Sequence, residues 1–349
     1  MATDPNAPPD SIVITAFTGL KNTVASERLK PGELERAINV DIDDAGEVRR
    51  RRGQTRVSTG RHHSLWKSIG GKVLVVRDGV LGKLDAGYTF TALANVGPNQ
   101  LGYTEVGDTI FYSSRSAAGK ILSDDTRTEW GSRENGNGRW LSPVIRPTDT
   151  LGPVAGKLLG PPPAASILEA FNGRIYLADD NVIWATELYQ FDYVDKTRNY
   201  LQFENEITVL VAVDDGLYVG TKDGLYFLNG TFGKGMNRRQ VSSAPVIRGS
   251  AVRVPAHLTD AGKQRGGLMA DAVMLLSEQG VLTCMMSGQV LNATDGTVVF
   301  PSADDAAALH REDSGVSSYV TVTRSSGGPA TNARIGDFVD AEIRRATGS

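Results

Sequence analysis

The chain has 349 residues, 40% of them hydrophobic and 39 of them glycine, long enough to bury a large core and too apolar for a disordered polymer. Its 37 basic and 40 acidic residues leave a formal net charge of -3, so no global field steers it toward nucleic acid or an anionic membrane. The single cysteine, Cys284, excludes a disulfide framework and a Cys-based metal site, and its apolar neighbours mark it as a core residue.

Residues 1–11 contain three prolines and no periodicity, and read as a flexible arm. They carry neither the basic stretch nor the apolar core of a secretion signal, and no later run approaches the roughly 18 apolar residues that span a bilayer. The expectation is synthesis in a cytosol with no membrane anchor. Residues 12–20 read as a strand, placed to complete a sheet from the other end of the chain. Residues 27–39 begin polar and contain Pro31, a pattern that allows one short helix.

From residue 37 the pattern alternates. Ile38, Val40 and Ile42 share one side, residues 43–46 form a turn, and the returning arm holds Arg49, Arg50, Arg51 and Arg52, with Arg56 nearby. Five further hairpins follow, turning near residues 79, 119, 181, 224 and 280. Each is an apolar run, a turn of Gly, Asp or Asn, and a second apolar run. Asp-Gly at 78–79 and again at 223–224 is the strongest short-range hairpin signal.

The turns recur at about 40 to 60 residues, near the length of one four-stranded propeller blade. Several strands are apolar on both sides, as in stacked sheets covered on both faces. Turn-rich connectors occupy 131–138, 160–163 and 256–267. Residues 317–324 alternate again, and 333–345 read as a short helix or a closing strand. The fold class is therefore all-β: a β-propeller-like array of antiparallel hairpins over 12–323, with an arm at 1–11 and a C-terminal extension at 324–349.

The chemistry-bearing residues form no catalytic motif. His62 and His63 adjoin and would point to opposite faces of a strand, His257 and His310 lie far away in sequence, and no nucleophile elbow, phosphate loop or His-Glu-x-x-His is present. Acidic pairs at 43–44, 124–125, 179–180, 214–215 and 304–305 mostly sit at turns, where Asp accepts backbone hydrogen bonds. No cofactor or metal is expected. Tyr189, Phe191 and Tyr193 alternate at strand spacing and read as core or inter-blade packing. The one sharp charge feature is Arg49 to Arg52 with Arg56. The reading favoured is a subunit interface or charge-protected edge; its rival is contact with DNA phosphates.

Two stretches carry a family resemblance. Residues 39–53, an Asn-Val-Asp, a turn glycine, then basic residues and Gly53, resemble the opening segment of tail and head-to-tail joining proteins of tailed bacteriophages. Residues 171–230, with Arg174-Ile-Tyr, Trp184-Ala and Gly220-Thr strands, are similar to the blade sequences of phage tail hub or nozzle propellers. The resemblance implies a non-enzymatic virion structural protein of the tail, made in the host bacterial cytoplasm. It further implies a self-associating hexameric ring that meets other tail or adaptor proteins and continues the DNA channel, with non-specific contact to the DNA. The alternative is a carbohydrate-binding or glycoside-active propeller using turn acids with Trp140, Trp184 and Tyr193, which requires two carboxylates about 5 to 10 Å apart in one pocket.

Overall fold

Asp78 and Gly79 both adopt positive φ (50° and 82°), the backbone of a two-residue turn whose twist matches the strands it joins. On this hairpin and its counterparts the fold is built. The structure is a computed structural model that describes residues 14, 16–38, 40–42, 45–50, 55–131, 133–135, 139–141, 157–232, 235–259, 271–300, 302–313, 316–324 and 340–344. The arm at 1–11 lies outside them.

Near the N-terminus, β1 (Gly19–Leu20) pairs in parallel with β2 (Glu33–Leu34), and β3 (Val40–Ile42) pairs antiparallel with β4 (Val48–Arg50). The helix expected over 27–39 does not form. A 3-10 turn covers Ser26–Arg28, and then Lys30 to Glu33 closes a β-turn through the Glu33 amide and the Lys30 carbonyl at 3.0 Å. Pro31 occupies the second turn position and Gly32, at φ 94°, the third. That is type II geometry, which ends any helix where one was expected to begin.

Sheet I follows: β5 (His62–Lys67), β6 (Val73–Arg77), β7 (Val80–Leu84) and β8 (Phe90–Asn95). Sheet II contains β9 (Gly102–Val106), β10 (Thr109–Ser113), β11 (Ala118–Ile121) and β12 (Arg127–Thr128). A separate hairpin, β13 (Arg133–Asn135) with β14 (Arg139–Leu141), precedes β15 (Leu159–Gly160). Sheet III contains β16 (Ile167–Phe171), β17 (Arg174–Asp179), β18 (Val182–Ala185) and β20 (Tyr200–Gln202); between its last two strands β19 (Val194–Asp195) pairs with β15.

Sheet IV is β21 (Ile207–Val213), β22 (Gly216–Thr221), β23 (Gly224–Asn229) and β24 (Asn237–Ser242). Sheet V is β25 (Val252–Pro255), β26 (Asp271–Ser277), β27 (Gly280–Met285) and β28 (Gln289–Asn292). Sheet VI is β29 (Asp305–Asp313), β30 (Val316–Arg324) and β31 (Asp340–Arg344). In sheets I to VI the strands lie side by side in chain order, sheet III passing over β19, the meander of a propeller blade. The C-terminal stretch thus contributes a strand, β31, antiparallel to β30.

The chain divides into two compact units. One comprises Met1–Gln54, Ile247–Met285 and Val290–Ser349; the other comprises Thr55–Val246 and Met286–Gln289. The span 12–323 contributes to both. In the second unit, β9 packs against β16, and β16 against β21, so the first strands of consecutive sheets are neighbours. In the first unit, β25 packs against β29 in the same way.

Cores fill the spaces between sheets. Leu74, Val76 and Leu81 of sheet I meet Tyr103, Ile110 and Tyr112 of sheet II, with Trp66 stacked on Tyr103 at 5.4 Å. Phe111 and Trp130 meet Leu168, Ile175 and Leu177 of sheet III, and Tyr176, Ile183 and Ala185 meet Leu210, Leu217 and Val219 of sheet IV. Each fully buried side chain of this size contributes about 1.5 to 3 kcal/mol.

The turn expected near 119 lies at 114–117, closed by the Ser114 amide and the Ala117 carbonyl at 2.7 Å. Gly119 instead sits within β11 opposite Tyr112, where a side chain would collide with the Tyr112 phenol. In the first unit, the segment after β1 reaches the segment after β28. The Asn22 side chain donates to the Val299 carbonyl at 2.9 Å and accepts from the Val299 amide at 2.7 Å, imitating a strand pair. Of the strand expected over 12–20, the described residues form one only at Gly19–Leu20, which pairs with β2 and not with the last sheet.

The approach of neighbouring first strands yields a test. A Cβ on Gly102 would lie 2.7 Å from the Ser166 carbonyl oxygen, a backbone atom that cannot rotate away. Gly102→Ala is expected to lower stability by about 1 to 3 kcal/mol in urea unfolding followed by tryptophan fluorescence; an unchanged midpoint would refute tight packing of β9 on β16.

Candidate functional site

The arginine run places its described members on the β3–β4 hairpin. Val48, Arg49 and Arg50 are all exposed. Arg49 pairs in register with Asp41, and its guanidinium donates to Glu47 at 2.8 Å. Arg50 pairs with Val40, and Val48 with Ile42, so Arg50 shares a face with apolar residues. Arg51 and Arg52 lie outside the described residues. Arg56 belongs to the other unit, is exposed, and donates through Nε to the Ser58 carbonyl at 2.9 Å.

A two-stranded hairpin is marginal by itself in water, and this one leaves Val48 at 40% and the nearby Ile38 at 64% exposure. The combination of exposed apolar side chains and guanidinium groups is the composition of an interface, where arginine is enriched and lysine depleted.

Several other titratable groups serve as structural struts. Asp125, at φ 68°, accepts from Lys72 at 2.6 Å and also from Lys83, tying the β11–β12 turn to sheet I. Lys72 is further held by the carbonyls of Leu122 and Ser123 at 3.1 and 2.8 Å. Hydrogen bonds from Lys72, and then from Lys83, hold the Asp125 carboxyl below the usual carboxylate range. Lys120 binds both oxygens of Asp192 at 2.9 and 3.0 Å, and the Trp130 indole donates to the Phe191 carbonyl at 2.8 Å, joining sheets II and III.

The acid pairs accordingly act in turns and struts, as their positions in the sequence suggested for most of them. Asp124 accepts from the Thr126 amide at 2.9 Å, and Asp223 accepts from the Thr221 hydroxyl, which holds its carboxyl below the ordinary value. Pair members 43 and 44 lie outside the described residues.

One small cleft, of about 160 Å³, is lined by Asp215, Phe227, Asn229, Asn237, Arg239 and Ser287. Its two charged groups are both committed to the turn after β27. Asp215 accepts from the Ser287 amide at 2.8 Å, and Arg239 donates to the Ser287 carbonyl at 2.7 Å. The cleft holds one carboxylate, not a pair.

The histidines are dispersed. His62 Nδ1 lies 3.1 Å from the Gly60 carbonyl, His63 Nδ1 lies 2.9 Å from the Ser64 hydroxyl, and His310 Nε2 lies 2.8 Å from the Ser317 hydroxyl. Partial burial pushes the His63 and His310 imidazoles below their ordinary value. Among the described residues no group of three His, Cys, Asp or Glu is placed to hold a metal, and no helix is long and apolar enough to cross a membrane. Cys284 is fully buried and burial raises its thiol pKa.

The aromatic stripe does not form a single face. Residues 187–190 make a tight turn with a Glu187–Gln190 bridge, so the alternation of a strand is lost. Phe191 enters the core 6.0 Å from Phe111, whereas Tyr189 is 73% exposed. Trp184 packs in the same core, 5.6 Å from Tyr200. The Trp140 side chain lies outside the described ones.

No protein-family model matches the chain, and no curated protein matches it. Among solved structures it is similar to the extracellular domain of the putative one component system BT4673 from B. thetaiotaomicron, at 12% identity over 76% of this chain and 32% of that one, with a TM-score of 0.44. It is similar to PorZ of Porphyromonas gingivalis, at 10% identity over 85% of this chain and 39% of that one, TM-score 0.36. A BBS1N structure in complex with ARL6DN gives 10% identity over 81% and 84%, TM-score 0.46. The chain spans about a third of the length of the first of these. The β-propeller-like assignment stands on the meander order of the sheets themselves.

The strut at Asp125 gives the site its pH dependence. Its folded pKa lies below the unfolded value, so its contribution is complete above the unfolded carboxylate range and is lost as pH falls through the folded value. Asp125→Asn should be less stable than the parent at pH 7 by about 1 to 2 kcal/mol, a charged hydrogen bond discounted for partial exposure. The difference should shrink toward zero in acid. Equal unfolding midpoints at pH 7 would show that the two lysines do not depend on it.

Proposed function

We propose that this protein is a non-enzymatic structural subunit of a bacteriophage tail, assembling with copies of itself into a ring around the DNA path. The observation that carries the reading is the exposed β3–β4 hairpin, which presents Val48, Arg49 and Arg50 together on two strands that no larger sheet supports. It falls within the stretch, residues 39–53, that resembles phage tail and joining proteins. The use of the described acids as turn caps and inter-sheet struts fits a protein that works by shape. On this reading the hairpin is a subunit contact, and guanidinium groups on its rim supply orientation and association rate more than raw affinity.

The test is the mass of the purified protein by mass photometry, with negative-stain imaging. A ring of several copies supports the reading, and a strict monomer at micromolar concentration overturns it. Arg49→Glu with Arg50→Glu is expected to weaken ring association roughly tenfold or more while leaving the circular dichroism spectrum unchanged. Deletion of residues 1–11 is likewise expected to leave the monomer folded and to reduce the ring fraction; assembly by light scattering equal to that of the full chain would count against a role for the arm.

A further inference from the structure

One glutamate in the second unit bridges a lysine and an asparagine. Lys157 Nζ donates to Glu187 Oε2 at 2.8 Å, and Asn199 Nδ2 donates to Glu187 Oε1 at 2.9 Å. The Lys157 and Glu187 side chains are 28% and 14% exposed, and Asn199 is 7% exposed. The cluster is therefore half-buried at the lysine and buried at the amide.

Backbone bonds fix all three positions from different parts of the chain. The Lys196 amide donates to the Leu158 carbonyl at 3.1 Å, holding the residue beside Lys157. The Glu187 amide donates to the Tyr193 carbonyl at 2.8 Å. The Asn199 amide donates to the Asp195 carbonyl at 2.8 Å, and its own carbonyl accepts from the Ala185 amide at 3.0 Å. The three side chains thereby converge on one carboxylate, Lys157 on Oε2 and Asn199 on Oε1.

We infer that Lys157 and Asn199 join in an intramolecular amide cross-link, with Glu187 as the proton shuttle. The Lys157 ammonium passes a proton to the Glu187 carboxylate, and the freed lone pair attacks Asn199 Cγ. In the tetrahedral intermediate the Glu187 acid proton moves to Asn199 Nδ2, the Cγ–Nδ2 bond breaks, and ammonia departs. The remaining extra proton on the new amide nitrogen leaves through Glu187 to the ammonia, giving ammonium. In sum one lysine ammonium and one primary amide become one secondary amide and one ammonium ion. No oxidant, reductant or second substrate is required.

The bond would close a loop of about 40 residues, removing conformations from the unfolded chain as a disulfide does. It would also fasten the segment before sheet III to the loop that leads into its last strand. In a chain with one buried cysteine, such a link supplies a covalent staple that needs no oxidising compartment.

Intact-mass spectrometry of the purified full chain decides the matter. The expected mass is below the sequence mass by about 17 Da, one ammonia, and a tryptic digest should contain the Lys157 and Asn199 peptides joined, with cleavage after Lys157 blocked. The full sequence mass overturns the inference and leaves an ion pair with a hydrogen bond. A deficit of about 18 Da, one water, placing Lys157 on the Glu187 carboxyl, also overturns it. Lys157→Arg and Glu187→Gln are each expected to restore the full mass. A Glu187→Gln protein that still loses ammonia at this site refutes the shuttle. Should either variant fail to fold, the digest of the parent chain remains decisive.

Discussion

The structure depends on one constraint: sheets apolar on both faces must be covered on both. All seven residues of β21 and all six of β22 are buried, and neither strand could meet water without exposing Leu210, Val219 and their neighbours. Stacking one meander against the next satisfies both faces at once. It also brings first strands together, which is why Gly102 faces the backbone at Ser166 without a side chain between them. Sheet spacing, core composition and the positions of several glycines follow from that packing.

Stacking creates a second demand, since polar turns at the ends of adjacent sheets are brought close and partly dried. Charges there must be paired. Lys72 and Lys83 converge on Asp125 between sheets I and II, and Lys120 meets Asp192 between sheets II and III. Asp125 and Asp192 are in this way engaged by the architecture. The Asp215 and Arg239 cleft follows the same logic, its charges holding the Ser287 turn from two sides.

Against that background two places stand apart. The β3–β4 hairpin leaves Val48, Arg49 and Arg50 exposed on a sheet of only two strands. The Lys157, Glu187 and Asn199 cluster brings an amine and a primary amide to the two oxygens of one carboxylate. The first is the basis of the proposed assembly and the second of the proposed cross-link.

The hairpins were legible in the sequence because strand alternation and positive-φ turns are local properties: Asp78-Gly79 and Asp180, beside Asn181, turn where their residue types require. The alternation of Val48 to Arg50 was legible for the same reason. Local reading failed where another local rule or a distant partner won. Pro31-Gly32 made a type II turn instead of a helix start, and Gly119 served the Tyr112 ring across the ladder instead of a turn. Tyr189 and Phe191 parted company because the 187–190 turn broke their alternation. Only the tertiary structure could bring Lys157, Glu187 and Asn199 to one carboxylate. Their spacing in the chain carries no motif, and the approach is set by β15 pairing with β19 and by the loop between β18 and β20 folding back onto the sheet. Sequence determined which segments become strands and turns; packing decided which side chains meet, because contacts between sheets depend on burial of surfaces that no local pattern encodes.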